Sequence, residues 1–171
     1  MKKLFKFILP VIAVLFFAAN ANAQTNWISQ KISNKVIVKF PKAPEVLQEN
    51  VAYKAVGDDS TTYTATYADL ETMGLDSATL ASMVETEEFF EQFKTGFTAQ
   101  MEGLELKKSE IVKWNGFVSY NLEGDVQAKG KKAFIKTIFI GSHMFTFFCI
   151  APTDFYTKNK EVFVGALELV K

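Results

Sequence analysis

The chain has 171 residues, with 19 basic and 19 acidic side chains that cancel to a formal net charge of zero. Every basic residue is lysine, because the sequence contains no arginine. Arginine is the usual side chain for bidentate binding of phosphate and for stacking on nucleic-acid bases, so this composition argues against a nucleic-acid-binding protein and against binding to an anionic membrane.

Residues 1–23 have the pattern of an export signal. Three lysines surround the start, residues 7–19 are apolar, and Ala21-Asn22-Ala23 supplies the small residues that a signal peptidase requires. The apolar run is shorter than the about 20 residues that span a membrane, so a retained anchor helix is the less favoured alternative. We therefore expect cleavage before Gln24 and a location in the periplasm or outside the cell, with no transmembrane segment in the mature chain.

The remaining residues, 24–171, are expected to form one domain. Its 16 lysines face 19 acidic residues, which leaves a formal charge of −3. Cys149 is the only cysteine, so the domain has no internal disulfide. It lies in the apolar run 145–150 and is interpreted as a buried core residue. A reactive or intermolecular thiol is the alternative.

The first half of the domain predicts strands followed by helices. Hydrophobic and β-branched patterns favour strands at 27–33, 35–40, 51–56 and 61–67. Asp76 and Thr86 are typical N-cap residues, and each predicts a helix start. In the second helix, apolar side chains recur at spacings of three and four and are expected to form one core-facing stripe: Phe89, Phe90, Phe93, Phe97 and Met101.

The second half predicts two antiparallel hairpins. Asn115-Gly116 is a strong type I′ turn signal between strands at 105–114 and 117–123. Gly141-Ser142 is a second tight turn between strands at 133–140 and 144–150. The last of these strands is apolar on both faces, which indicates that layers cover both faces of the sheet.

These elements predict an α+β fold in which helices cover both faces of an antiparallel sheet. One cover is the phenylalanine-rich helix. The second is expected to be a C-terminal helix that starts after Thr153 or Asp154 and includes Phe155 and Phe163, followed by a closing strand at 166–170.

The chain resembles the PsbP-like family, whose α/β/α sandwich also recurs in small exported bacterial proteins of unassigned role. The residues that carry the resemblance are Val36-Ile37-Val38-Lys39-Phe40-Pro41 with Pro44, and segments 63–70, 116–120, 134–148 and 161–169. The resemblance implies the fold. It implies no metal or partner residues, because those of plant members depend on His and Arg patterns that this chain, with His143 as its only histidine, does not contain.

No catalytic, cofactor or metal motif is found in the sequence. His143 and Cys149 lie six residues apart on one predicted strand, which separates them by roughly 20 Å and excludes a Cys-His dyad. One His and one Cys are too few for a zinc site. The acidic pair Asp58 and Asp59 is explained by a solvated turn. His143 is interpreted as a solvated or turn-capping residue.

Three aromatic residues with polar groups are candidates for contact with a partner: Trp27, Trp114 and Tyr156. Each lies near the end of a predicted element, where a ring can be half exposed. Packing at the edge of the core is the alternative for all three.

We hypothesise a non-enzymatic exported module that binds a protein partner or envelope complex. The 17 phenylalanines leave open a carrier of a small apolar ligand, which would require a phenylalanine-lined cavity of several hundred Å³. A hydrolase that uses carboxylates alone is the second alternative.

Overall fold

The computed structural model describes residues 27–127, 130–152 and 158–170. The strands in these ranges are β1 Ile28–Ile32, β2 Val36–Phe40, β3 Glu45–Gln48, β4 Ala52–Val56, β5 Thr62–Asp69, β6 Leu104–Trp114, β7 Phe117–Val126, β8 Lys131–Ile140, β9 His143–Pro152 and β10 Glu168–Leu169. The helices are α1 Ser77–Met83, α2 Glu87–Gln100 and α3 Lys158–Gly165, with a short 3₁₀ helix at Leu70–Met73.

Two antiparallel sheets organise these strands. The larger has seven strands in the order β3-β4-β5-β9-β8-β7-β6, and the smaller has three in the order β1-β2-β10. The hairpin of β8 and β9 occupies the middle of the larger sheet, as predicted. The sequence patterns predicted nine of these ten strands. β3 was not predicted, because it is only four residues long and follows Pro44.

The two predicted hairpin turns are confirmed. Asn115 and Gly116 both have positive φ, 49° and 84°, as a type I′ turn requires. This turn aligns Trp114 opposite Phe117, which is the predicted register. Gly141, with φ of 62°, begins the second turn.

Both predicted helix starts are also confirmed by their caps. The Asp76 carboxylate accepts a 2.7 Å hydrogen bond from the backbone N–H of Thr79. The Thr86 hydroxyl accepts one of 3.3 Å from the N–H of Phe89. Each bond satisfies a helix N–H that has no partner within its own helix.

Helices α1 and α2 pack on one face of the larger sheet. Of the apolar stripe on α2, only Phe90 is fully buried, while Phe93 and Phe97 are partly exposed. The ring of Phe97 stacks on Phe148 of β9 with 5.2 Å between centroids. The apolar stripe therefore faces the sheet as expected. Helix α2 buries this stripe less completely than the sequence pattern predicts.

The opposite face is covered mainly by the smaller sheet. Val36, Val38 and Phe40 of β2 are fully buried there, in a strict alternation with less buried residues. From α3, Phe163 is buried between Phe40 and Tyr63, with ring centroids 5.3 and 5.2 Å away. Helix α3 contributes to this layer, but the strands provide most of it, so helical cover of both faces is not confirmed. The predicted helix start after Thr153 or Asp154, with Phe155, lies outside the described residues.

Candidate functional site

The candidate partner residues Trp27 and Trp114 are each half-buried at the edge of the same core. Trp27 packs edge-on against the buried ring of Tyr63 at a centroid distance of 5.5 Å. Trp114 packs beside Phe117 at the end of β6. The strands β5 and β6 that carry these contacts are four strand spacings apart, about 19 Å at ~4.8 Å each, so the two indoles do not form one patch. Tyr156 lies outside the described residues.

Cys149 is fully buried in β9, as predicted. Burial raises the pKa of its thiol to about 12, and the negative charge of Asp59 acts in the same direction. A thiol needs a lowered pKa and solvent access to act as a nucleophile. The environment of Cys149 supplies neither of them.

His143 takes part in a small polar cluster at the other end of β9. Its Nδ1 is hydrogen-bonded to the hydroxyl of Tyr67 at 3.0 Å and lies 3.7 Å from the carboxylate of Asp69. Burial and the charge of Asp69 raise the pKa of Tyr67, so its hydroxyl remains protonated at neutral pH. The cluster joins the neighbouring strands β5 and β9, so His143 has a side-chain partner beyond the solvated or turn-capping role that the sequence suggested.

A second polar cluster anchors helix α3. The carboxylate of Asp59 accepts hydrogen bonds from Asn159 at 3.1 Å and from the backbone N–H of Thr61 at 3.0 Å. The hydroxyl of Tyr63 lies 3.4 Å from the same carboxylate. Burial raises the pKa of Tyr63 strongly, so the phenol is a neutral donor here. The acidic turn at Asp58 and Asp59 is therefore structural as well as solvated.

A small cleft of ≈ 190 Å³ lies between α3 and strands β6 to β8. Lys160 spans it, with its ammonium 3.8 Å from the centre of the Phe134 ring and 3.6 Å from both Glu123 and Glu161. Burial lowers the pKa of Lys136, whose side chain also lines the cleft. Lysine and glutamate side chains are thus mixed here, with three glutamates, Glu110, Glu123 and Glu161, and two lysines lining the cleft.

A larger cleft of ≈ 640 Å³ lies between the free edge of β1 and the face of β3 and β4. We call it the β1–β3 cleft. Gln30 and Lys31 line one side, while Val46, Tyr53 and Tyr67 contribute to the other. Val46 is 54% exposed, and its neighbour Leu47 is 52% exposed. The sequence patterns did not indicate this cleft, because β3 was not predicted and the stacking of the two sheets creates it.

The fold was compared with the folds and sequences of known proteins. No protein-family model matches the sequence, and no curated protein matches it either. This chain is similar to cyanobacterial PsbP from Synechocystis sp. PCC 6803, as seen in its solution structure. The aligned region covers 84% of this chain and 92% of that PsbP chain, with a TM-score of 0.51 and 11% sequence identity. The chain has a PsbP-like fold. The resemblance to the PsbP-like family that was noted in the sequence is therefore confirmed for the fold.

Two further solved structures are more distant from this PsbP-like fold. LpqN of Mycobacterium tuberculosis, described as involved in cell envelope biogenesis, has 15% identity, covers 87% of this chain and 81% of its own, and has a TM-score of 0.43. A protein of unknown function from Pseudomonas aeruginosa has 12% identity, covers 75% and 84%, and has a TM-score of 0.39. At such identities, similarity speaks to fold and not to activity.

Within the described part of this PsbP-like fold, no group of three or more His, Cys, Asp or Glu side chains could hold a metal ion. The same described residues contain no helix that is both long and apolar enough to cross a membrane. The β1–β3 cleft is larger than the cleft beside α3, and its lining includes the exposed apolar side chain of Val46.

Proposed function

We propose that the mature chain is an exported, non-enzymatic accessory module that binds a protein partner or an envelope complex. The observation that carries this proposal is the placement of Cys149 and His143, the pair that the sequence offered for a nucleophile and its base. Cys149 is buried in the core, and its thiol has a raised pKa. His143 is hydrogen-bonded to the phenol of Tyr67, whose pKa is also raised. They lie six residues apart along β9, roughly 20 Å at 3.3 Å per residue, so neither can activate the other.

The surface of the described fold supports binding better than catalysis. Val46 exposes its apolar side chain in a cleft with polar walls, and the neighbouring Leu47 is exposed outside that lining. Exposed apolar groups with a polar rim are typical of protein–protein contact sites. Trp27 and Trp114 stay candidates for additional contact, because each keeps part of its ring accessible.

The alternative of an apolar-ligand carrier has less support. A carrier of this kind was expected to need a cavity lined by phenylalanine. The β1–β3 cleft has the required size, but its lining contains two tyrosines and no phenylalanine. The phenylalanines of the described layers instead fill space between helix and sheet, as in the stack of Phe97 on Phe148.

A carboxylate hydrolase also has less support. Glu110, Glu123 and Glu161 line one cleft, but a general acid requires a raised pKa. The hydrogen bond from Asn121 and the charge of Lys108 lower the pKa of Glu110 instead.

Chemical crosslinking of the exported protein in its native envelope, followed by purification and mass spectrometry of proteins and lipids, tests the proposal. We expect a specific protein to co-purify in a fixed ratio with the mature chain. An unrelated exported protein, crosslinked and purified in the same way, is the control. Recovery of a lipid or small molecule without a protein partner would contradict the proposal and favour the carrier.

A further inference from the structure

The strands at the free edges of the two described sheets differ in how well they are protected against pairing with another chain. Strand β6 carries five charged residues and a register shift between Leu106 and Lys108. Strand β3 has four residues, follows Pro44 and shifts register after Val46. Strand β10 has two residues. Charge, shortness, proline and bulges are the usual devices that prevent unwanted strand pairing.

Strand β1 lacks these devices. Its five residues pair with β2 in an unbroken register, without proline or bulge, and Lys31 is its only charged residue. The carbonyl oxygen of Lys31 accepts a 3.0 Å hydrogen bond from the side-chain amide of Gln30 in an exposed position. In an antiparallel strand the N–H and C=O of one residue point to the same side. The backbone groups of Lys31 and, two residues earlier, of Ser29 therefore face the free edge.

This edge borders the β1–β3 cleft. A strand added beside β1 would lie over the face of β3 and β4, where Val46 is exposed and Tyr53 lines the cleft. Alternate side chains of that strand would point toward these two residues, since side chains alternate between the faces of a sheet. The outward N–H and C=O groups of Ser29 and Lys31 are complementary to another extended backbone, which would replace the Gln30 amide at the carbonyl of Lys31. Lys31 is complementary to an acidic side chain on that segment, whereas Glu49, which also lines the cleft, disfavours an acidic side chain next to it.

We propose that the free edge of β1 binds an extended segment of the protein partner, which adds a fourth strand to the smaller sheet. The segment covers the exposed Val46 with an apolar side chain, passes beside the buried Tyr53 and places an acidic residue beside Lys31. This inference rests on the proposed accessory function and specifies how the partner is recognised.

A displayed library of short random peptides, selected on protein purified from expression of the full chain, tests the proposal. We expect enrichment of sequences that alternate apolar and polar residues and include an acidic one. A synthetic, fluorescently labelled peptide of the enriched sequence then gives a Kd by anisotropy. Absence of enrichment, or enrichment of peptides without this pattern, would overturn the proposal.

Ser29→Pro and Ser29→Ala are the matched variants. Proline removes the outward N–H and is tolerated at an edge position, while alanine keeps the N–H. We expect Ser29→Pro to weaken the Kd by about tenfold or more, near the effect of one lost hydrogen bond with added steric blocking, and Ser29→Ala to leave it within about twofold. Unchanged circular dichroism and melting temperature would show that the fold is intact. Lys31→Glu should weaken binding of the acidic peptide.

Equal binding by both Ser29 variants would overturn the proposal. If the native partner co-purifies with Ser29→Pro in the same yield as with Ser29→Ala, the edge is not its site and this inference fails, while the accessory function stands. A dimer of the full chain that Ser29→Pro dissociates would assign the edge to a second copy and overturn binding of a different protein. Loss of the native partner in Ser29→Pro but not in Ser29→Ala would support both proposals.

Discussion

The hydroxyl of Tyr120 donates a 2.6 Å hydrogen bond to the carbonyl oxygen of Val84 and so joins β7 to the C-terminal cap of α1. Tyr120 is fully buried, and burial raises its pKa strongly, so the phenol remains a donor. Rings of Phe90 and Phe93 pack against it at 4.6 and 5.1 Å. One side chain thus positions both helices that cover this face of the sheet.

Replacing Tyr120 by phenylalanine should therefore destabilise the protein. The buried carbonyl of Val84 would lose its side-chain donor, which costs about 1–3 kcal/mol of unfolding free energy. Urea denaturation measures the change. Tyr67→Phe is the control, since its partner His143 is partly exposed and can bond to water, so its cost should be smaller. Equal costs would show that the Tyr120 bond has no special role.

The phenylalanines of β9 differ in how deeply they are buried. Phe147 is fully buried, whereas Phe148 on the opposite face is partly exposed. We expect Phe147→Ala to lower the free energy of unfolding by about 3–5 kcal/mol. Phe148→Ala should lower it less, because folding removes less of the Phe148 side chain from water. Phe93→Ala on α2 should resemble Phe148→Ala. Denaturant midpoints of the three variants provide the comparison, and a Phe148→Ala loss as large as that of Phe147→Ala would contradict this account.

The stability of the protein should fall at alkaline pH, and Cys149 should contribute to the fall. Its folded pKa of about 12 is above its ordinary value of about 9, so the folded state holds the proton more tightly. The resulting stabilisation is complete below about pH 9 and is lost as pH rises toward 12. Unfolding free energies measured across this range should decline less steeply in Cys149→Ala than in the original chain.

A thiol reagent provides an independent measurement on the same residue. At neutral pH, Cys149 should react only after unfolding, because the native thiol is both protonated and inaccessible. Rapid labelling of the native protein would support the reactive-thiol alternative.

Loss of His143 should leave partner binding intact if the protein acts by surface contact. His143→Ala is compared with Trp114→Ala in the co-purification assay. We expect the first to bind normally. If Trp114 is an exposed anchor and not core packing, the second should bind more weakly by about 2 kcal/mol without unfolding the domain. Abolished function in a folded His143→Ala variant would contradict the non-enzymatic proposal. Unchanged binding by Trp114→Ala would assign that ring to packing alone.

The proposed export signal at residues 1–23 predicts a specific N-terminus. Sequencing of the exported protein should begin at Gln24, because the small residues before it fit the specificity of signal peptidase. Replacing Ala23 with a bulky residue should slow cleavage and leave the longer precursor visible on a gel. Exported material that retains Met1 would show that the segment is kept as an anchor.

Local patterns in the sequence were sufficient for most elements of the fold. Asn115-Gly116 determined a turn and, through its two-residue length, the register that places Trp114 opposite Phe117. Asp76 and Thr86 determined two helix starts through bonds to backbone only three residues away. These features depend on neighbouring residues, so the chain contains the required information within a few positions.

The tertiary structure alone decided which layers meet. The sequence indicated that β9 needed cover on both faces, but not that β2 would supply much of it on one side, because alternation in a strand does not specify its partner. The polar contact of Tyr67 with His143 joins residues 76 positions apart, and the β1–β3 cleft arises only where two sheets stack. Long-range packing sets these distances, and no local spacing in the sequence encodes them.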